Sequence, residues 1–211
     1  KNESAVLERC LTTIKSFVDE IIVADTGSTD NTKEIAAKFG ASVFDFEWCD
    51  DFSAARNFSL SKANGEWILI LDADETIDKP DLLNLKNLTN SKADAWTLVQ
   101  RNYRKVESDD LGMVSCRNDS YEKSAGFSCY FPSVLVRLFR NKGYKFNHVV
   151  HELVEESIEA SGGRIENSGI PIHHYNESNS SLNETKISFY SKLGEKQIQL
   201  TPTDPKPYYE L

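Results

Sequence analysis

Residues Ile68–Thr76 read ILILDADET. Four apolar residues run without a break into three acids in four positions, Asp72, Asp74 and Glu75. A short continuous apolar run of this kind, opened here by Trp67, fits a strand buried on both faces. Ligands of an open α/β sheet gather beyond the carboxyl ends of its strands. The acids therefore stand where chemistry is expected, and the rest of the chain should supply the sheet that brings them there.

Upstream, the pattern repeats. Ile21–Ala24 is a second apolar run that ends in an acid, Asp25, followed by the turn residues Thr26-Gly27-Ser28-Thr29-Asp30. Residues 4–17 place Val6, Leu7, Leu11, Ile14 and Phe17 at helical spacing. The reading continues with a helix over 31–39 closed by Gly40, a strand over 41–46, a helix over 52–63 closed by Asn64-Gly65, and the strand 67–71. Helix and strand alternate three times, which implies parallel pairing through right-handed crossovers, with Asp25 and Asp72 facing one crevice. Asp30, ahead of Asn31-Thr32, reads as a helix cap and not as part of the site. No strand precedes the first helix, so the first strand of the sheet is expected upstream of Lys1. The only methionine is Met113, so the sequence reads as a piece of a longer protein.

Downstream, strands are predicted over 95–104 and 133–140. Residues 149–157 and 169–175 are read as further extended or short segments in a mixed sheet with long loops. Residues 176–181, NESNSS, read as a polar linker, 182–200 as a helix, and Pro202–Pro205 as its end. This divides the chain into a catalytic domain over 1–175 and a linker with C-terminal helices over 176–211.

The totals exclude several classes. The chain has 211 residues and a net charge of −9, which argues against nucleic acid as a partner. No apolar run approaches the ~20 residues of a membrane span. The four cysteines Cys10, Cys49, Cys116 and Cys129 form no Cys-x-x-Cys pair, so they read as buried reduced thiols and the chain as cytoplasmic, or peripheral at the inner face of the membrane.

Two chemistries account for paired acids at a strand end. Asp72-x-Asp74-x-Thr76 resembles the first motif of haloacid dehalogenase-like phosphatases, with Asp72 as nucleophile and Asp74 as acid. That family also needs a later strand ending in an acidic pair, and the later strands here end in Arg and Asn. The second chemistry is sugar transfer from a nucleotide donor. There a divalent cation, Mn2+ or Mg2+, neutralises the departing diphosphate as a Lewis acid and takes carboxylate ligands.

The ordered set Asn2-Glu3, Asp25-x-Gly-Ser-Thr-Asp30, Ala55-Arg56-Asn57 and Asp72-x-Asp74-Glu75 resembles the nucleotide-binding half of family 2 glycosyltransferases. The resemblance implies a Rossmann-like GT-A fold: a central, mostly parallel mixed sheet with helices on both faces. It further implies that Glu3, Asp25, Arg56, Asp72 and Asp74 bind the nucleotide-sugar, with a UDP-sugar favoured, and that Asp74 also holds the metal. A narrower subset is matched by Arg137-Leu-Phe-Arg140-Asn141, Phe146, Val150-His151-Glu152 and Ile172-His173-His174-Tyr175. It implies Glu152 as the base of an inverting transfer, with His151 as the alternative, and His174, in preference to His173, as a further metal ligand. The implied enzyme is a hexosyl- or N-acetylhexosaminyl-type transferase acting on a glycan, lipid-linked or polypeptide acceptor. The tail, Pro-Thr-Asp-Pro-x-Pro-Tyr-Tyr, resembles the entry to tetratricopeptide repeats. A non-catalytic module that binds a nucleotide-sugar or a partner remains the other reading.

Overall fold

The computed structural model describes residues 1–105, 111–175 and 184–202, with side chains of the last segment described from 188 onward. The chain opens with helix α1 (Leu7–Ile14), whose Leu7, Cys10, Leu11 and Ile14 form one buried face. Strand β1 (Ile22–Asp25) follows, then α2 (Thr32–Lys38), β2 (Ser42–Asp45), α3 (Phe52–Leu60) and β3 (Trp67–Leu69). Each predicted element of this half is present. Gly40 closes α2 with φ +81°; its amide bonds Ala37 O while the Ala41 amide bonds Ala36 O, which satisfies two terminal carbonyls. Asp51 caps α3 by accepting the Ala54 amide at 2.9 Å.

Beyond β3 come the two-residue strand β4 (Glu75–Thr76), helix α4 (Lys79–Leu88), β5 (Ala95–Arg104), the short β6 (Val114–Ser115), β7 (Cys129–Arg140), helix α5 (Glu155–Ala160), β8 (Ile165–Tyr175) and helix α6 (Glu184–Leu200). Helix α4 had no counterpart in the sequence reading. Pro80 in its first turn and Leu82 and Leu85 on its buried side account for it. Residues 149–157 correct the expectation of an extended segment: they turn sharply and then enter α5. The 176–181 linker lies outside the described residues.

The sheet is mixed, as expected, but its pairings are mostly antiparallel, which corrects the expectation of a mostly parallel sheet in which the first three strands pair in parallel. Its six strands run β3-β7-β5-β8-β4, with β6 paired to β7, and β1 and β2 make a separate parallel pair. Parallel pairing holds for β1–β2 and β5–β8; β7 is antiparallel to both β3 and β5, and β4 is antiparallel to β8. The physical reason is that β3 takes its partner from the second half of the chain and not from a neighbouring crossover unit.

The main core lies between α1, α4 and the sheet, with Leu11, Ile14, Ile77, Leu82, Leu85, Leu98, Leu138 and Ile172 buried together. Helix α6 does not stand apart. Leu193 is buried with Val149 and Val150, against which Trp48, Phe52 and Phe189 pack, and Gln197 accepts the Val149 amide at 2.5 Å. Cys49 is exposed while Cys10, Cys116 and Cys129 are buried, which corrects the uniform burial expected of the thiols. Among the described residues, no helix is long and apolar enough to cross a membrane.

Candidate functional site

The ILIL run enters the core as expected, with Ile68 and Ile70 buried, and it delivers Asp72 to a chain of alternating charges. Asp72 accepts Arg56 Nη2 on Oδ1 at 2.9 Å and Arg137 Nη2 on Oδ2 at 3.3 Å. The same Arg137 nitrogen donates to Glu75 Oε1 at 3.1 Å. Glu75 is fully buried; its Oε2 accepts the Asp72 amide at 2.7 Å and its Oε1 accepts Gln100 Nε2 at 2.5 Å. At the far end, Arg56 Nε donates to Glu152 Oε1 at 2.5 Å. The order is therefore Glu152, Arg56, Asp72, Arg137, Glu75.

Electrostatics sort these acids. Burial alone would push the Asp72 carboxyl up, but the guanidiniums of Arg56 and Arg137 outweigh it and hold Asp72 well below the usual carboxylate range. Glu75 goes the other way. Burial raises it, Arg137 opposes, and the neighbouring Asp72 charge adds to the rise. The same negative field, on top of burial, pushes the Cys10 thiol up to about 12, so this cysteine is an inert filler under the acids.

Asp74 faces across to β8. Its Oδ2 lies 3.0 Å from His174 Nε2, and His174 Nδ1 lies 2.6 Å from Asn102 Oδ1. The Asn102 amide nitrogen donates to Phe131 O and Ser133 Oγ, which turns its oxygen toward the ring. His174 Nδ1 therefore bears the proton, and Nε2 is the nitrogen presented to Asp74. Burial works against charging His174, but Asp74 reverses this and raises its pKa. A ring whose second nitrogen is held by an amide oxygen is the arrangement common to histidine metal ligands.

His173 is different. It is fully buried, stacked on Tyr103, with Nδ1 2.7 Å from the Tyr103 hydroxyl. Of the two adjacent histidines, His174 is thus the one that faces Asp74. A carboxylate and an imidazole fit a divalent cation that keeps water or phosphate oxygens on its other positions. Among the described residues, no group of three His, Cys, Asp or Glu side chains could hold a metal alone.

Asp25 ends β1 and is buried. Its Oδ2 accepts the amides of Gly27 at 3.1 Å and Ser28 at 2.8 Å. Burial opposes ionisation, yet the bonds from Ser28 and Gly27 keep the carboxyl below its ordinary value. Gly27 sits at φ +92°, which only glycine adopts readily, and this is what aims its amide inward. Glu3 stands beside the same loop: its amide donates to Thr32 Oγ1, the Asn2 amide donates to Ser28 Oγ, and the Ser4 amide donates to Asp30 Oδ2. Asp30 also accepts the Thr32 amide, so it ties Ser4 to the 25–32 loop; the N-cap position of α2 is Asn31, with no side-chain cap bond, which corrects the expectation that Asp30 caps the helix.

Glu152 is neither in a helix nor at the open surface. It precedes α5, its side chain is 12% exposed, and it is paired with Arg56. His148 and His151 hold φ of +75° and +55°, the left-handed turns that swing this segment inward. Arg56, likewise, is no solvated helix arginine, since it bridges two carboxylates. Sequence reasoning quoted Arg137 within a motif but gave it no role, and missed Gln100 and Asn102. The signal for Arg137 was an arginine alone inside the apolar run VLVRLF; Gln100 and Asn102 gave none beyond period-two alternation.

Residues 1–151 match the profile of Glycosyl transferase family 2. A relative from Synechococcus elongatus, "TPR repeat-containing protein Synpcc7942_0270", is 40% identical over 161 residues, covering 76% of this chain and 35% of its own length. An "Uncharacterized glycosyltransferase" of Rickettsia felis is 28% identical over 204 residues, covering 94% of this chain and 67% of its own. The chain thus spans between about a third and two thirds of these relatives. Among solved structures, S. aureus TarS 1-349 in complex with UDP-GlcNAc matches with a TM-score of 0.57 at 16% identity, over 93% of this chain and 64% of that one. Glucosyl-3-phosphoglycerate synthase from Mycobacterium tuberculosis in complex with Mn2+ and uridine-diphosphate-glucose matches with a TM-score of 0.55 at 17% identity, over 92% and 73%. The shared fold is the GT-A type.

Proposed function

This chain belongs to glycosyl transferase family 2, and from that membership we propose that it transfers a hexosyl or N-acetylhexosaminyl group from a nucleotide-sugar, a UDP-sugar first, to an acceptor hydroxyl with inversion. The supporting observation is Arg56. One guanidinium holds Asp72, just beyond the edge strand β3, and Glu152, from the second half of the chain. An acid suited to the donor and an acid suited to the acceptor therefore share one site.

In this reading Glu3 and Asp25 line the base and ribose end of the donor, and Asp72 and Arg56 its diphosphate end. A divalent cation, Mn2+ or Mg2+, would be held by Asp74 and His174, where it would supply Lewis-acid stabilisation of diphosphate charge. Asn102 fixes the His174 tautomer. Glu152 takes the proton of the attacking acceptor hydroxyl as the new glycosidic bond forms and the bond to the diphosphate breaks. The nucleotide complexes of the two solved relatives favour UDP as the first nucleotide to test. The acceptor is a glycan, a lipid-linked glycan or a polypeptide, and the working compartment is the cytoplasm or the inner membrane face. Residues 1–175 would form the catalytic domain, with a helical repeat region entered after 176.

The test is calorimetric titration of UDP with and without Mn2+ on the wild type and Asp74→Ala. Mn2+-dependent binding that falls at least ~10-fold in the variant is expected. Equal affinity in the two proteins would remove Asp74 from the metal site, and hydrolysis of a generic phosphomonoester would favour the phosphatase reading instead.

A further inference from the structure

Helix α6 lies outside the segment to which any site residue has been assigned, yet one of its side chains stacks on α3, the helix that bears Arg56. Tyr190 is 40% exposed. Its ring stacks nearly parallel on Phe52, with centroids 6.2 Å apart and planes at 14°. Phe52 lies four residues before Arg56 on α3, hence on the same face and one turn away. The helix is seated on both segments that bear the Arg56–Glu152 pair. Leu193 packs on Val149 and Val150, just before Glu152, and Lys196 Nζ donates to Cys49 O at 3.0 Å and Asp50 O at 2.8 Å, just before α3. Trp48 and Phe189 back the stack.

We propose that Tyr190 is an acceptor-binding residue, its ring forming with Glu152 a subsite for the pyranose ring of a saccharide acceptor. The inference rests on the transferase reading of Glu152. A half-exposed aromatic face beside carboxylates offers a sugar what it needs: an apolar plane for its C–H face and acceptors for its hydroxyls. The Tyr190 phenol feels those acids. Burial raises its pKa, and the charges of Glu152, Asp72 and Asp74 add to the rise. A residue serving only to pack α6 would resemble Leu193, which is 1% exposed and apolar.

The experiment titrates methyl β-D-glucopyranoside, methyl β-D-galactopyranoside and methyl N-acetyl-β-D-glucosaminide, followed by saturation-transfer NMR, into the protein saturated with UDP and Mn2+. At least one glycoside binds the wild type, binds about tenfold more weakly to Tyr190→Ala, and recovers in Tyr190→Phe. UDP affinity stays at its wild-type value in both variants, and the thermal unfolding midpoint stays there in Tyr190→Phe. Binding of no glycoside by the wild type, equal binding by Tyr190→Ala, or failure of Tyr190→Phe to recover would each overturn the subsite. A wild type that fails to bind UDP with Mn2+ would instead overturn the donor site on which the subsite rests.

Discussion

Strands β5 and β8 lie side by side in parallel, and their two faces have opposite chemistry. On one face Gln100 reaches the carboxylate of Glu75, His174 reaches that of Asp74, and Asn102 accepts from His174. On the other, Tyr103, His173 and Tyr175 stack on one another, with Arg101 set against the rings of Tyr121 and Tyr130 and paired with Asp119 at 2.6 Å. The register places Asn102 opposite His174 and Arg101 opposite His173. Two adjacent histidines thus fall into two environments because a strand turns successive side chains to opposite faces. One becomes a polar group facing Asp74, and the other a member of an aromatic core.

The polar face depends most on Arg137, so its removal has the largest effect. The side chain is buried and is the cation between Glu75 and Asp72. Arg137→Ala leaves a fully buried glutamate with a neighbouring aspartate and no cation between them, a change that costs about 3–5 kcal/mol. Denaturant unfolding should show that loss, together with loss of UDP binding in whatever fraction remains folded. An unfolding free energy within ~1 kcal/mol of wild type would mean that Glu75 is neutral and content without Arg137.

The aromatic face makes the next largest prediction, and it is a pH effect. Burial, with Arg101 adding to it, lowers the His173 pKa to about 4. His173 Nε2 is buried without a hydrogen-bond partner, so a charged ring there would be unsatisfied. The folded-state pKa lies below the unfolded one, so as pH falls the unfolded chain takes up the proton first. The contribution is complete above pH ~6.5 and is lost as pH falls toward 4, where it amounts to about 3 kcal/mol. His173→Asn should flatten that part of the stability curve relative to wild type. Parallel curves for the two proteins between pH 4 and 6.5 would show that His173 is charged in the folded state.

This contrast also explains what could be read from the sequence. The local elements were legible: β5 has the predicted bounds, and the turn after β1, the Gly40 stop and the acids after β3 stand where periodicity and turn chemistry put them. Among the residues singled out from short spaced motifs, Arg56, Asp72 and Glu152 meet in one charge chain, and Asp74 meets His174. The pairings were not legible, because Arg137 and Glu75 are 62 positions apart in the chain and Arg56 and Glu152 are 96 apart. No local pattern encodes which arginine meets which acid. Helix α4 escaped because only Leu82 and Leu85 mark its buried apolar side, too few for a period to show. The tail was read as a linker with the start of another region. In the structure, α6 is anchored by Leu193, Lys196 and Gln197 to two loops of the site, a relation that exists only in three dimensions.

The smallest effect tests the link between the strand register and the metal reading. Asn102 is not among the residues proposed to hold the donor; its oxygen accepts the hydrogen bond of His174 Nδ1 while its amide nitrogen is held by Phe131 O and Ser133 Oγ. Asn102→Ala leaves the imidazole free to rotate and to change tautomer, so Mn2+-dependent UDP affinity should fall about tenfold, or roughly 1.4 kcal/mol. Asn102→Asp restores an acceptor at the same place and should recover most of that loss. UDP affinity measured without Mn2+ should be the same in all three proteins, since a positioning residue for a metal ligand has no other route to the donor. If Asn102→Ala binds UDP with Mn2+ as tightly as wild type, the orientation of His174 is set by Asp74 alone. The polar face would then owe less to β5 than its geometry implies.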